Sequence, residues 1–211
     1  MQPFTAVTGP AAPLLRPNID TDVIIRVERL VGTTRASMGA HAFEVWRFRA
    51  DGSEDPAFVL NRPEFRAAPI LLAGPNFGCG SSREGAVWAL QGMGVRAVIA
   101  PSYSDIFRNN ALQNGLLPVV LDEAVVREIA AQVEAAPDRA RVTVDLEREV
   151  VIAPDGTRHR FAIDPARREA LLAGLDDVGL TLRQADAIAA WQQADRAARP
   201  WAWQVAAPER R

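Results

Sequence analysis

The chain has 211 residues, 48% of them hydrophobic and 24% charged, a size that favours one well-buried core over two ordinary domains. A formal net charge of -2 and a pI near 5.8 give no overall basic field, so a nucleic-acid partner is not expected. No apolar run is long enough to span a membrane, and the first fifteen residues lack the pattern of a secretory signal, so we expect a cytoplasmic protein.

The first elements that the sequence predicts are a strand, a helix and a second strand. The apolar run Ile70–Ala73 is typical of a buried strand, residues 85–93 predict a helix, and residues 96–100 predict the next strand. Two strands joined by a helix form the right-handed crossover of a parallel sheet. The loop between the first strand and the helix therefore lies at the carboxyl edge of the sheet, where open α/β sheets bind ligands.

That loop, residues 76–84, brings two serines and an arginine to the point where the helix begins. The first turn of a helix has N–H groups without internal partners and carries partial positive charge. Gly78 and Gly80 allow the main chain to approach a ligand closely. Arg83 adds a planar fork of donors that matches a carboxylate in two-point contact. The loop therefore predicts a site for a carboxylate.

Ser81 has two competing interpretations. Its spacing from Glu84 fits a capping box, in which the serine hydroxyl and the glutamate carboxylate each bind a main-chain N–H. Alternatively, Ser81 points at a substrate as a general base, because the helix terminus and Arg83 favour its alkoxide. The sequence leaves both roles open.

Other common sites are disfavoured by the residue inventory. The chain has no lysine, which a Walker loop requires, and Arg83 stands where the dinucleotide fingerprint needs a third glycine. The single cysteine, Cys79, is expected to be a small buried residue, and His41 and His159 are not at metal-ligand spacing. We therefore expect no metal site within this chain.

The second half of the chain predicts two helices and an antiparallel sheet. Asp122 is expected to cap a helix over residues 123–136, which has apolar residues on one face. Strands are predicted over residues 141–146, 150–153 and 157–163. Asp164 and Pro165 then open a helix that ends at Gly174.

The segment that follows contains two adjacent acidic residues, Asp176 and Asp177. Turn and cap roles are favoured for this pair over a catalytic role, and Thr181 and Gln184 have the spacing of another capping box. We expect one domain over residues 1–195. Residues 196–211, which include Trp201 and Trp203, are predicted to be a loose tail or a docking segment.

Five motifs occupy residues 18–22, 76–84, 100–107, 114–118 and 174–182. In this order and spacing they resemble the small subunit of bacterial 3-isopropylmalate dehydratase over roughly residues 18–191. The wider resemblance is to the swivelling domain of aconitase-type hydro-lyases. It implies an α/β fold, a β/β/α swivelling domain like the aconitase C-terminal domain, with a parallel βαβ core.

The resemblance also implies a reaction and a division of roles. Water would be lost from 2-isopropylmalate and added back to give 3-isopropylmalate in leucine biosynthesis, on a four-iron four-sulfur cluster held by a separate large subunit. This chain would bind no cofactor itself. Ser81 would be the base and Arg83 would hold a substrate carboxylate. The further substrate-binding candidates are Ser82, Asn76, Gly80, Asp22 and Arg35, with Asp22 either orienting an arginine or water or simply forming a turn.

Two departures from the family pattern leave the substrate open. Gly85 stands where the family usually has histidine, and Arg26-Val27 stands where it tends to have Pro-Lys. Residues 26–35 lie where relatives select the substrate side chain. Apolar residues there would suit an isopropyl group, whereas inward-pointing arginines would suit another carboxylate. A dehydratase for dimethylmalate or citramalate and citraconate is one alternative, and a non-catalytic anion-binding module of the same fold is another.

Overall fold

Two four-stranded sheets form the centre of the computed structural model, which describes residues 1–203. The strands are β1 (Ala6–Gly9), β2 (Ala11–Leu14), β3 (Ile70–Ala73), β4 (Ala97–Ala100), β5 (Leu117–Val120), β6 (Val142–Asp145), β7 (Val150–Ile152) and β8 (Arg158–Arg160). The helices are α1 (Thr21–Ile24), α2 (Glu44–Arg47), α3 (Glu84–Gly92), α4 (Asp105–Asn114), α5 (Glu123–Ala135), α6 (Pro165–Ala173), α7 (Asp177–Leu182) and α8 (Ala185–Ala198). Short 3-10 helices occupy Val27–Arg29, Arg35–His41, Val59–Asn61 and Pro200–Trp203.

The first sheet is parallel and has the order β2-β3-β4-β5. All residues of β3 and β4 are buried, because a parallel sheet is covered on both faces and its central strands are apolar throughout. Helix α5 packs against β2, β3 and β4, and α3 packs against α4 and the 3-10 helix Arg35–His41. The predicted parallel βαβ core is confirmed, and α3 connects β3 to β4.

The second sheet is antiparallel, with the order β1-β6-β7-β8. The predicted strand pair around residues 147–148 is confirmed as the hairpin of β6 and β7. Asp145 anchors its turn, because one carboxylate oxygen accepts the Arg148 main-chain N–H at 2.9 Å and the other accepts the Arg148 guanidinium at 2.8 Å. The strand predicted over residues 157–163 is shorter, Arg158–Arg160, and its partner is β7.

Most predicted helix ends agree with the structure. Asp164 caps α6 by accepting the Arg167 N–H, and Gly174 ends that helix in the left-handed region. Asp176 caps α7 by accepting the Gly179 N–H at 2.7 Å, which confirms its predicted cap role. Asp122 occupies the N-cap position of α5, although its side chain makes no capping hydrogen bond.

One prediction for the C-terminal segment is wrong. Thr181 lies inside α7 and donates to the Asp177 carbonyl oxygen, and Gln184 precedes α8 without a side-chain cap, so these two residues form no capping box. The boundary at residues 195 and 196 falls inside α8, and Trp203 donates its indole N–H back to Asp195 at 2.8 Å. The rest of the predicted tail, residues 204–211, lies outside the described residues. None of the described helices is long and apolar enough to cross a membrane.

Candidate functional site

The loop from β3 to α3 is held by main-chain contacts to two neighbouring segments. The Gly78 N–H donates to the Ile19 carbonyl oxygen at 2.8 Å, and the Phe77 N–H donates to the Ser102 carbonyl oxygen at 3.0 Å. The Ser104 hydroxyl also donates to the Gly78 carbonyl oxygen, at 2.5 Å. The loop is therefore fixed at the carboxyl edge of the parallel sheet, as the sequence predicts.

Three aromatic rings form a platform beneath this loop. Phe77 and Phe107 meet edge to face with ring centroids 5.2 Å apart, and Tyr103 stacks on Phe107 at 6.3 Å. Gly78 has a φ of +72°, and a Cβ there would lie 2.2 Å from a Phe107 ring carbon. Gly78 is therefore required both for its backbone conformation and for the space that Phe107 occupies.

The segment Thr21 to Asp22 at the start of α1 contacts three points of the same loop. The Thr21 N–H donates to the Cys79 carbonyl oxygen at 2.9 Å, and the Thr21 hydroxyl donates to the Ser81 carbonyl oxygen at 2.8 Å. The Asp22 carboxylate forms an ion pair with the Arg83 guanidinium. The structure thus brings together Asp22, Ser81 and Arg83, which were predicted as site residues, and adds Thr21, which was not.

The Asp22 carboxylate is available to Arg83 because Asp20, two residues earlier, forms the turn. Asp20 is the N-cap of α1, and its carboxylate accepts the Val23 N–H at 2.8 Å. Asp22 lies in the first turn of α1, and its side chain is 52% exposed. In the structure the Asp22 carboxylate therefore pairs with an arginine, and the turn hydrogen bond is made by Asp20.

Ser81 does not cap α3, so the capping-box interpretation is wrong. The helix begins at Glu84, its N-cap is Arg83, and no side chain among residues 1–203 caps it. The Glu84 carboxylate instead accepts a hydrogen bond from the Asn114 amide at 2.7 Å, which ties α3 to α4. Arg83 Nη2 donates to the Ser81 hydroxyl oxygen at 3.4 Å.

The loop presents polar groups outward. Gly80, Ser81 and Ser82 are exposed, whereas the Arg83 side chain is only 15% exposed. Within residues 1–203, the main-chain N–H groups of residues 81–83 have no hydrogen-bond acceptor. Two hydroxyls, an oriented guanidinium and these N–H groups can together bind a carboxylate.

Asn76 lies at the rim of this group. Its side-chain amide donates to the Asn18 side-chain oxygen at 2.8 Å, and its N–H donates to the Ser102 hydroxyl at 2.8 Å. Both asparagines have left-handed backbone angles, with φ of 58° at Asn76 and 54° at Asn18. Asn18 was not a predicted site residue, although it lies in the first of the five motifs.

Arg35 is not brought to Ser81. Its guanidinium donates to the Gln91 side chain at 3.1 Å and lies 5.3 Å from the centroid of the Trp88 ring. Gln91 is in the last turn of α3, about 10 Å along the helix axis from Glu84. Arg35 therefore lies beside the opposite end of the helix from the serines.

The two other arginines of residues 26–35 are bound to carboxylates of this chain. Arg26 contacts Glu28 at 3.1 Å and Glu44 at 3.6 Å, and Arg29 contacts Glu44 at 2.9 Å. Hydrogen bonding to Glu28 raises the pKa of Arg26 above its usual value. These arginines serve to fix the segment to α2.

The same segment reaches α3 through Leu30. A Cβ at Gly85 would lie 2.4 Å from Leu30 Cδ2, so Leu30 occupies the space that a side chain at residue 85 would need. Val27 and Val31, on either side of Leu30, are 50% and 84% exposed. Leu30 therefore packs against the first turn of α3.

The described residues contain no cluster of three or more histidine, cysteine, aspartate or glutamate side chains that could hold a metal ion. Cys79 is only partly buried, less than the sequence predicts. Burial, followed by the nearby Asp20 carboxylate, raises the pKa of its thiol, which disfavours the thiolate that binds metals. An aconitase-type cluster needs three thiolates, and the whole chain has one cysteine. The donor set of this chain does not fit such a cluster.

Comparison with known proteins decides the family. Residues 1–124 match the family described as aconitase C-terminal domain, residues 127–165 match LeuD_N, and residues 177–202 match the C-terminal domain of the 3-isopropylmalate dehydratase small subunit. The chain is 52% identical over 203 residues to the 3-isopropylmalate dehydratase small subunit of Cupriavidus necator, covering 95% of this chain and 98% of that relative. It belongs to the 3-isopropylmalate dehydratase small-subunit family.

Further relatives agree with this assignment. The small subunit of Paramagnetospirillum magneticum is 48% identical over 95% of this chain and 100% of its own length. The solved 3-isopropylmalate dehydratase structure from Methanocaldococcus jannaschii has 26% identity and a TM-score of 0.63, covering 89% of this chain and 99% of that one. The predicted α/β fold of the aconitase swivelling domain is confirmed.

Proposed function

We propose that this chain supplies the Ser81 and Arg83 half of an active site that converts 2-isopropylmalate to 3-isopropylmalate. The reaction is that of a hydro-lyase of leucine biosynthesis, in which water is lost and added back, and relatives that share about half of the sequence are named for it. The observation that carries the proposal is the ion pair of Asp22 and Arg83 beside the exposed Ser81 hydroxyl. This arrangement orients a cation next to a candidate base.

Arg83 is proposed to hold a substrate carboxylate. Asp22 binds one terminal nitrogen and the Ser81 hydroxyl contacts the other, which fixes the plane of the guanidinium and leaves further N–H groups for the substrate. The N–H groups of residues 81–83, which have no acceptor within residues 1–203, and the Ser82 hydroxyl are placed to add hydrogen bonds. Asn76 and Gly80 would shape the edge of the same pocket.

Ser81 is proposed to be the general base. Its oxygen would take the proton from the carbon beside a substrate carboxylate and return it on the other carbon when water is added back. Arg83, at 3.4 Å from that oxygen, stabilises the negative charge of the alkoxide, as do the neighbouring N–H groups at the start of α3. This role requires that the serine not be engaged as a cap.

The second half of the site is proposed to come from a large subunit. The relatives are named as small subunits, which implies a larger partner, and this chain cannot provide the thiolates of a four-iron four-sulfur cluster. We propose that the cluster is held by the large subunit and that the complex is a heterodimer in the cytoplasm. The cluster would supply the Lewis acid that a departing hydroxide requires.

The surroundings of the loop favour an isopropyl substituent over an additional carboxylate. Arg26 and Arg29 are bound by glutamates, and Arg35 is bound at the far end of α3. Val27 and Val31 are the exposed apolar side chains of the segment, and they offer an apolar wall. Dimethylmalate and citramalate, which also carry apolar substituents, are the alternative substrates that this surface would accept.

The test is co-expression with the large subunit from the same organism, followed by anaerobic purification and assay. Substrates are 2-isopropylmalate, citramalate and dimethylmalate, and the control is the complex that carries Ser81→Ala. We expect the wild-type complex to prefer 2-isopropylmalate and the turnover of the control to fall by about 10² to 10⁴. A different preferred substrate would support the related dehydratase, and a stable complex with no turnover of any of them would support the non-catalytic module.

A further inference from the structure

The main chain that carries Ser81 depends on one buried side chain. Residues 80–82 are exposed and lie outside α3, and Gly80 has a φ of +89°. Among the described residues, the only hydrogen bond to the main chain of these three residues comes from the Thr21 hydroxyl. Thr21 itself is only 1% exposed, so water does not compete for that hydroxyl.

Thr21 holds the main chain of the loop from a fixed position on α1. It lies in the first turn of α1, whose start is capped by Asp20, and its own N–H holds the Cys79 carbonyl oxygen at 2.9 Å. Its side chain holds the Ser81 carbonyl oxygen at 2.8 Å, and the adjacent Asp22 holds Arg83. One short helix therefore contacts both Ser81 and Arg83.

We propose that Thr21 is a positioning residue for Ser81, a role that rests on the function proposed above. Its hydroxyl acts on the Ser81 backbone and does not contact substrate. Without it, the loop would still reach α3, but the Ser81 oxygen would sample positions away from the reacting carbon. Displacements of about 1 Å lower catalytic rates by about a hundredfold.

The experiment compares Thr21→Val and Thr21→Ser in the complex with the large subunit, using 2-isopropylmalate. Valine keeps the shape of threonine and removes the hydroxyl, whereas serine keeps the hydroxyl. We expect Thr21→Val to lower kcat about tenfold to a hundredfold with KM within about twofold, and Thr21→Ser to restore most of kcat. Thr21→Ala, which also lacks the hydroxyl, replaces valine if that variant does not form the complex.

A double-mutant cycle separates positioning from simple destabilisation. If Thr21 acts through Ser81, Thr21→Val causes no further loss in a complex that already carries Ser81→Ala. The matched stability control is Val133→Ala, a truncation in the buried face of α5, which should lower the melting temperature and leave kcat unchanged.

The outcomes distinguish this proposal from the function on which it rests. A wild-type complex without isomerase activity refutes the function. An active wild-type complex in which Thr21→Val retains full kcat, or loses the same factor with and without Ser81, refutes the positioning role alone. A loss of kcat that Thr21→Ser does not restore also refutes it.

Discussion

Ser81 and Arg83 are placed by contacts from a segment about sixty residues earlier in the chain, and not by the helix that follows them. A serine that caps a helix has its oxygen committed to a main-chain N–H. Ser81 instead has its hydroxyl beside a guanidinium and open to solvent. The partner of the hydroxyl thus distinguishes a serine that stabilises a helix from a serine that is available for chemistry.

The first prediction concerns Ser81→Ala. Turnover by the complex should fall by about 10² to 10⁴, the range of a lost general base, while the melting temperature of the small subunit should not change. Thermal unfolding and steady-state kinetics measure both. The assignment is wrong if the variant loses the roughly 0.5 to 2 kcal/mol of a helix cap yet turns over normally. Ser82→Ala is the control, and it should affect KM more than kcat.

The second prediction concerns the ion pair of Asp22 and Arg83. Arg83→Lys replaces a bidentate fork by a point charge, so KM should rise, with a loss of about 1.5 to 3 kcal/mol in substrate binding. Asp22→Asn should raise KM in the same direction by less, because Arg83 keeps its charge and loses only its orientation. Arg127→Lys, on the surface of α5 and paired with Glu123, is the matched control and should change nothing. Unchanged KM in both site variants would contradict the role of the pair.

At the scale of elements, the sequence predicts those structures whose signals are local. Strand β3 and helix α5 follow from apolar runs and periodicity, and α6 from its aspartate cap and terminal glycine. Strands β1 and β2 were not predicted, because each has four residues, Pro10 separates them and Pro13 lies within β2. Helix α4 was also missed, since its sequence is mostly polar and few of its residues are buried.

For the site, too, the sequence predicts only contacts between residues that are close in the chain. Ser81 and Arg83 are close in sequence, so their contact is predictable, and the family resemblance adds Asp22. The contact of Thr21 with Ser81 and that of Asn18 with Asn76 depend on how distant segments pair in the folded chain. Arg35 contacts Gln91 at the opposite end of α3 from the serines, and the sequence gives no information about the direction of that side chain.

The third prediction concerns the hairpin of β6 and β7. Burial raises the pKa of Asp145, but its hydrogen bonds from Arg148 outweigh this effect, so the pKa is lower than usual in the folded chain. The charged form therefore stabilises the fold above the ordinary aspartate pKa of about 3.9, and this contribution is lost as the pH falls through the lower folded-state value. Asp145→Asn should reduce the free energy of unfolding at pH 7, and the two proteins should converge in strong acid. Urea unfolding at several pH values measures this, and a difference independent of pH would contradict it.

The fourth prediction concerns the contact of Leu30 with Gly85. Gly85→Ala adds a Cβ that displaces Leu30, while the helix gains up to about 1 kcal/mol in propensity. Stability should therefore change little, but the ratio of kcat/KM for 2-isopropylmalate to that for citramalate should change by about tenfold or more. A double variant that carries Leu30→Ala together with Gly85→Ala restores the space and serves as the control for steric displacement. If the ratio is the same in all three proteins, this segment does not select the substrate.

For the whole molecule, the decisive feature is that the serines of the site are open to solvent. Water competes for every hydrogen bond that Arg83 and the loop N–H groups could make to a carboxylate, and the departing hydroxide of the proposed reaction needs a Lewis acid. The described part of the chain provides neither a cover for the loop nor a metal-binding cluster. The proposed division of the site therefore requires that a second surface close over residues 80–83 and over the exposed Val27 and Val31.

The fifth prediction follows because the described part of the chain provides neither a cover for the loop nor a metal-binding cluster. The isolated chain should contain no iron or sulfide and should not turn over 2-isopropylmalate, and activity should appear only when the large subunit is added without oxygen. Hydrogen exchange should show new protection at residues 80–83 and 27–31 in the complex, because both segments become covered, while the hairpin of β6 and β7 should exchange as before. Iron analysis and the assay on the separated subunits test the first part. Stoichiometric iron in the isolated chain, or turnover without a partner, would mean that the site is not divided between two chains.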